Sequence, residues 1–103
     1  MIDAQQARAT ATEALGQLEQ ELGVPLALWE GDPEVEPVAD HGDVWVVSWN
    51  SVEYLQTRDF YKQQLVGPIA IPKDGSDWFV LGTALPVAEE LQEWRAATGR
   101  PPL

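Results

Sequence analysis

The chain of 103 residues contains no cysteine, one histidine and only six lysines and arginines. Without cysteine it can form neither a disulfide framework nor a thiolate zinc site, and it has no thiol nucleophile. No apolar run approaches the roughly 20 residues that are needed to span a bilayer. The N-terminal stretch has no basic segment followed by an apolar one, which argues against a secretory signal. We therefore expect a cytoplasmic protein.

Seventeen acidic residues against six basic ones give the chain a net charge of −11. Phosphate backbones and anionic lipid headgroups repel such a surface, so we expect neither nucleic acid nor a membrane as a partner. A basic protein, such as a toxin, is the partner class that this charge favours. The alternative is that the acidity only keeps a small protein soluble.

The first half of the chain predicts a helix, a short strand and an acidic loop. Asp3 can cap the helix and Gly23 can end it in the left-handed conformation, and Leu26, Leu28 and Trp29 indicate the strand. Residues 30–43 carry six acids, no base and two prolines, which predicts an exposed loop or an irregular edge strand. The apolar positions of the helix recur at spacings of three and four: Ala7, Ala11, Ala14, Leu15, Leu18 and Leu22.

The second half predicts three strands and a helix. Residues 44–50 alternate as a central strand does, with apolar side chains on both faces. Residues 68–73 and 77–83 predict a hairpin around Asp74-Gly75, and the two prolines of residues 68–73 place that strand at an edge or a bulge. Pro86 fits the first turn of a C-terminal helix.

The order of these elements predicts the α+β class, with an antiparallel sheet of about four strands flanked by an N-terminal and a C-terminal helix. We expect one domain over residues 1–103. The N-terminal helix should bury one face of the sheet, and the C-terminal helix should pack at the sheet's end or beside the first helix.

The five tryptophans divide into two groups. Trp45, Trp78 and Trp94 lie on apolar stripes and are predicted core residues. Trp29 and Trp49 lie at strand ends beside polar loops, where a partly exposed aromatic side chain can anchor a partner.

The sequence contains no recognisable set of catalytic or metal-binding residues. The serines lack a G-x-S-x-G context, and the glycines are isolated rather than grouped to cradle a phosphate. Asp40, His41 and Asp43 lie within four residues, but without a second histidine they fit a zinc or calcium loop poorly. We therefore expect no enzyme, no cofactor and no metal.

Several short motifs occur in a fixed order along most of the chain. They are Gly42-x-x-Trp45-Val46, Trp49-Asn50-Ser51, Tyr54-Leu55-x-Thr57-x-Asp59-Phe60, Gly67-Pro68-Ile69, Asp74-Gly75 and Val80-Leu81-Gly82-Thr83-Ala84. Their order and spacing resemble the YrhB-domain proteins, also called the immunity protein 35 family. The resemblance implies a small cytoplasmic α+β protein, encoded beside a bacterial polymorphic toxin, that binds the toxin and blocks it by stoichiometric occlusion. The alternative attached to the same name is a small chaperone-like or adaptor protein that binds client proteins.

The residues predicted to bind the partner fall in the acidic loop, at the end of the central strand and in the connector that follows it. The loop acids would steer a basic toxin, and the connector carries aromatic and charged side chains of the kind that interfaces enrich. In the structural alternative, Asp59 accepts backbone N–H bonds at a turn, and Tyr54 and Phe60 pack against the sheet edge. The predicted residues are Glu34, Glu36, Asp40, Trp49, Tyr54, Arg58, Asp59 and Tyr61.

Overall fold

The first helix, α1, spans Ala4–Leu22 in a computed structural model that describes all 103 residues. Asp3 and Gln6 form a capping box at its start, each side chain accepting a hydrogen bond from the other residue's backbone N–H. Gly23 ends the helix in the left-handed conformation with φ 73°. Both predicted boundaries of the helix are therefore confirmed. Four of its predicted apolar positions are buried: Ala7, Ala11, Ala14 and Leu15.

Six strands form two antiparallel sheets. They are β1 Leu26–Leu28, β2 Val38–Asp40, β3 Val44–Val47, β4 Trp49–Ser51, β5 Ile69–Pro72 and β6 Phe79–Val80. The larger sheet has the order β2-β3-β5-β6, and β1 pairs with β4 in a separate two-stranded sheet. The helices that follow β4 and β6 are α2 Val52–Thr57, a 3₁₀ turn Phe60–Lys62, and α3 Val87–Ala97. The α+β class with flanking helices is thus confirmed. None of the helices is both long enough and apolar enough to cross a bilayer.

The predicted strand over residues 44–50 is interrupted at Ser48. The Ser48 N–H donates to the Pro37 carbonyl, and the Ser48 carbonyl accepts from the Trp29 N–H. The chain therefore leaves the larger sheet, where β3 pairs with β5, and enters the smaller one, where β4 pairs with β1. The prediction of one continuous strand was wrong because alternation of side chains does not record a change of pairing partner.

The two faces of the larger sheet are covered by different helices. The first core cluster lies under α1 and contains Ala7, Ala11, Ala14, Leu15, Leu26, Val47, Trp49, Ile69 and Ile71. The second lies under α3 and contains Val44, Val46, Ala70, Leu81 and Leu91. Consecutive residues of β3 and β5 thus face opposite helices. The prediction that α3 packs at the sheet's end or beside α1 was wrong: it covers the face opposite α1.

The strand predicted at a sheet edge because of its prolines, β5, is central between β3 and β6. Pro68 precedes the strand and Pro72 is its last residue. The intervening residues Ile69–Ile71 keep their N–H donors for the ladder, so the two prolines flank the pairing rather than interrupt it. The edge assignment was therefore wrong, while the antiparallel pairing of the two predicted strands is confirmed.

Candidate functional site

The connector between β4 and β5, residues 52–68, is irregular but capped at each of its short turns. The Ser51 hydroxyl accepts the Tyr54 N–H at 3.1 Å and so begins α2. The Asp59 carboxylate accepts the Tyr61 N–H at 3.1 Å and begins the 3₁₀ turn. These two caps explain why a polar segment without periodicity still adopts a defined path.

Two consecutive β4 side chains hold the connector backbone. The Asn50 amide accepts the Gln64 N–H at 2.8 Å and donates to the Gln64 carbonyl at 3.1 Å. The Ser51 hydroxyl donates to the Lys62 carbonyl at 2.6 Å. Because Asn50 and Ser51 are buried, water competes little for these bonds, and they are costly to break.

Trp49, the first residue of β4, fixes the end of the same segment. Its indole Nε1 donates to the Gly67 carbonyl at 3.0 Å. A Cβ atom at Gly67 would collide with the carbonyl oxygen of Leu81, so only glycine permits the backbone to approach the residue after β6 this closely. The Trp49-Asn50-Ser51 motif therefore acts as a clamp on the connector.

The clamped backbone displays three apolar side chains to solvent. Phe60 is 74% exposed, Tyr61 93% and Leu65 80%. We call residues 60–66 the connector ridge. The prediction that Phe60 covers the sheet edge was wrong, because the 3₁₀ turn directs its ring away from the protein. Tyr61 is exposed as a partner-binding residue must be, whereas Leu65 was not singled out from the sequence because it belongs to no periodic pattern.

An aromatic and cationic stack joins the connector to the acidic loop. The Trp29 and Tyr54 rings meet edge to face at 5.6 Å, and the Arg58 guanidinium lies 5.4 Å and 5.7 Å from their respective centroids. Asp32 accepts the Trp29 indole N–H at 3.2 Å and lies 3.6 Å from Arg58. The Glu34 N–H, the Trp29 indole and the Arg58 charge together lower the pKa of Asp32.

Arg58 ends α2 in the left-handed conformation with φ 58°, and it is the one non-glycine residue with positive φ. Side chains with a Cβ rarely adopt this region without compensation. The contacts of its guanidinium with Trp29, Tyr54 and Asp32 supply that compensation. Two predicted site residues, Tyr54 and Arg58, are thus brought together with Trp29.

A groove lies beside the connector ridge and has a volume of about 410 Å³. Trp29 and Trp49 line it, together with Leu65 and Val66 of the ridge. Val87, at the start of α3, also lines it. A smaller depression of about 260 Å³ is lined in part by Tyr61 and Lys62 of the ridge.

The predicted acidic residues do not form one patch. Glu34 and Glu36 are exposed, and Glu36 lines a separate depression beside the N-terminal turn of α1. Asp40 lies at the end of β2, where its carboxylate accepts from the Lys73 ammonium at 2.6 Å. This bond and the Gly42 N–H lower the pKa of Asp40.

Trp49 differs from its prediction. It is only 4% exposed and belongs to the first core cluster, because β4 turns its side chain under α1. Its expected exposure was wrong, and the small exposed part of its side chain lines the groove. Trp45 and Trp78 pack against the same cluster as partly buried side chains, and Trp94 packs similarly against the second.

Every lysine and arginine of the chain already has an acidic partner. Arg95, 4% exposed, binds Asp43 through two guanidinium nitrogens at 2.8–3.2 Å and lowers the pKa of that carboxyl. At the hairpin tip, bonds from Ser76 and Arg100 lower the pKa of Asp74 to about 2. The remaining acids carry the net charge of −11 without a balancing base. The six pairs are Arg8–Glu30, Arg58–Asp32, Lys62–Glu53, Lys73–Asp40, Arg95–Asp43 and Arg100–Asp74.

The carboxylates and the histidine do not converge on a metal position. No group of three or more such side chains is placed to hold an ion. Asp40 and Asp43, which flank His41 in the sequence, turn to Lys73 and Arg95 instead.

The chain was compared with curated proteins, with solved structures and with models of protein families. No curated protein matches it, and no solved structure matches it. The family model described as Immunity protein 35 matches residues 5–97 of the 103, which takes in α1, both sheets, the connector and α3. The chain therefore belongs to the immunity protein 35 family.

Proposed function

We propose that this chain neutralises a cognate bacterial toxin in the cytoplasm by forming a stoichiometric complex that covers a surface the toxin needs. The observation that carries the proposal is the family match over residues 5–97. An immunity protein family suggests a role in binding rather than in catalysis.

The distribution of charge supports a basic toxin as the partner. Because each lysine and arginine is already paired with an acid, the surface offers many free carboxylates and no free basic side chain. Such a surface attracts a positively charged protein and accelerates encounter at low ionic strength. It also repels nucleic acid. If the toxin acts on nucleic acid, this chain would therefore block it by covering the toxin and not by binding the toxin's substrate.

The test uses the toxin domain encoded by the gene next to that of this chain. Co-expression should restore growth of cells that the toxin domain arrests, and the purified proteins should form a one-to-one complex that survives size-exclusion chromatography. Complex formation should also abolish the toxin's activity at equimolar concentration. Absence of both growth rescue and complex would refute the proposal.

A second candidate function, binding of unfolded client proteins, is favoured by the exposed apolar side chains of Phe60, Tyr61 and Leu65. Such binding would be weak and would tolerate many sequences. Suppression of heat-induced aggregation of an unrelated protein, such as citrate synthase, distinguishes the two. An immunity protein should not suppress it at equimolar ratio, whereas a chaperone should.

A further inference from the structure

The connector ridge, residues 60–66, is the largest concentration of exposed apolar side chains away from the chain termini. Its Phe60, Tyr61 and Leu65 are each at least 74% exposed. The other exposed large apolar residues are the terminal Met1 and Leu103 or side chains at 37–40% exposure. Apolar side chains grouped this way on a small protein mark a surface that a partner covers.

The ridge is held in place before any partner arrives. Its backbone is bonded to Asn50 and Ser51 at Gln64 and Lys62, and it leads into Gly67, which Trp49 fixes. A surface whose backbone is already ordered loses little conformational entropy on binding. Tyrosine adds a large contact area at the cost of few rotatable bonds.

The ridge borders two depressions. Leu65 lines the groove of about 410 Å³, Tyr61 lines the depression of about 260 Å³, and Gln64 lines both. A partner that covers the ridge can therefore also fill these two depressions.

The charges around the ridge restrict the partner's chemistry. Lys62 is paired with Glu53 at 3.7 Å and Arg58 with Asp32 at 3.6 Å. The Asp59 carboxylate accepts a backbone N–H from Tyr61 but has no basic partner. The charge free to act here is therefore negative, which complements lysine or arginine and repels a second copy of a chain with net charge −11.

We infer that the connector ridge is the surface that enters the toxin, with Tyr61 and Leu65 seated in an apolar cleft whose rim carries lysine or arginine opposite Asp59. This inference rests on the proposed function, because it names the surface through which the toxin is neutralised. Phe60 extends the apolar contact at the beginning of the ridge.

The experiment measures the affinity of the full-length chain and its variants for the toxin domain of the adjacent gene by calorimetry. The double variant Tyr61→Ser/Leu65→Ser should bind about 30-fold or more weakly, as expected when central anchors are removed. Its thermal melting should be unchanged, because both side chains project into solvent. The matched control Leu103→Ser, also at an exposed apolar residue, should bind within about two-fold of the unmodified chain.

The outcomes separate this inference from the function on which it rests. If the unmodified chain neither binds nor neutralises the toxin domain, the proposed function fails. If it does both, and the double variant retains its affinity within about two-fold, the function stands and the ridge is not the interface. A double variant that instead dissociates a homodimer, seen by sedimentation velocity of the chain alone, also overturns the inference in favour of a second copy.

Hydrogen exchange of the unmodified complex supplies a test that does not depend on a variant. Amides of residues 60–66 should exchange more slowly in the complex than in the free chain. Protection confined to the outer face of α1 or to residues 30–43 would assign the interface elsewhere.

Discussion

The acidic loop, residues 30–43, and the connector ridge, residues 60–66, both lack a periodic pattern, yet different forces hold them. Loop acids form ion pairs with bases on other elements: Asp32–Arg58, Asp40–Lys73 and Asp43–Arg95. The ridge is held by uncharged donors and acceptors of β4. One segment therefore presents charge and the other presents apolar surface.

The acidic loop is therefore suited to steering a partner, and the connector ridge to anchoring one. Exposed ion pairs contribute little stability and weaken with salt, so the outer part of the loop is suited to long-range attraction. Buried uncharged hydrogen bonds do not depend on salt in this way. The ridge is consequently the firmer platform for contacts that determine how long a complex lasts.

The largest effect should come from removing the clamp on the ridge. Trp49→Ala deletes a buried side chain and its bond to Gly67, and it should lower the free energy of unfolding by about 3–5 kcal/mol. Trp78→Ala should cost less, about 2 kcal/mol, because part of its ring is already in solvent. Urea unfolding of both variants checks the order. An equal loss of unfolding free energy in both variants would contradict the role of Trp49 in fixing the connector.

A somewhat smaller effect should follow when the inner end of the acidic loop is released. Asp43→Asn leaves the buried Arg95 without an anionic partner, and should cost about 2–3 kcal/mol at neutral pH. The matched variant Asp74→Asn, at an exposed pair, should cost clearly less.

The same pair predicts a dependence on pH. Arg95 lowers the pKa of Asp43 in the folded state below the unfolded value of about 3.9, so ionisation of this carboxyl favours folding. The ionised Asp43 carboxylate therefore stabilises the folded state at pH values above its unfolded pKa, and this stabilisation disappears as the pH falls through its folded pKa. Melts of the unmodified chain and Asp43→Asn should therefore converge below about pH 4. A difference between the two melting temperatures that stays constant down to pH 2 would show that ionisation of Asp43 does not stabilise the fold.

An effect of opposite sign is expected at the stack between the two segments. Arg58→Gly relieves the strain of the left-handed backbone, which should raise the free energy of unfolding by about 0.5–1 kcal/mol. The loss of the Arg58 side-chain contacts offsets part of this gain. Arg58→Ala keeps the strain, loses the same contacts and should be less stable than Arg58→Gly. Calorimetric melts of the two variants decide this. Equal stability would show that φ is not strained at this residue.

The smallest structural effect should come from the exposed acids of the loop. Glu34→Gln/Glu36→Gln should leave the melting temperature unchanged, while slowing association with the toxin domain a few-fold at low salt and flattening its salt dependence. Asp40 is excluded from this variant because it pairs with Lys73. Stopped-flow mixing at several salt concentrations provides the rates. Rates equal to those of the unmodified chain at low salt would remove the loop from the steering role.

Prediction from the sequence succeeded where the physical signal was local. The Asp3 cap, the Gly23 stop, the Asp74-Gly75 hairpin and the start of the C-terminal helix at Pro86 each depend on residues within a few positions of one another. Prediction from the sequence failed where the burial or strand position of a residue depends on residues far away in the chain. The positions of Pro68 and Pro72 in the sequence do not indicate that they flank a central strand. The residues around Trp49 do not indicate that β4 buries its side chain in the core beneath α1.

The net charge of −11, the absence of thiol chemistry, the α+β class with its two terminal helices and the resemblance to the family all come from the sequence by itself. These follow from composition and from short-range spacing. Tertiary contacts set the pairing of every lysine and arginine with an acid, the covering of opposite faces of one sheet by α1 and α3, and the exposure of Phe60, Tyr61 and Leu65. Such properties depend on contacts between residues far apart in the chain, because burial and ion pairing are set by which surfaces meet when the strands assemble.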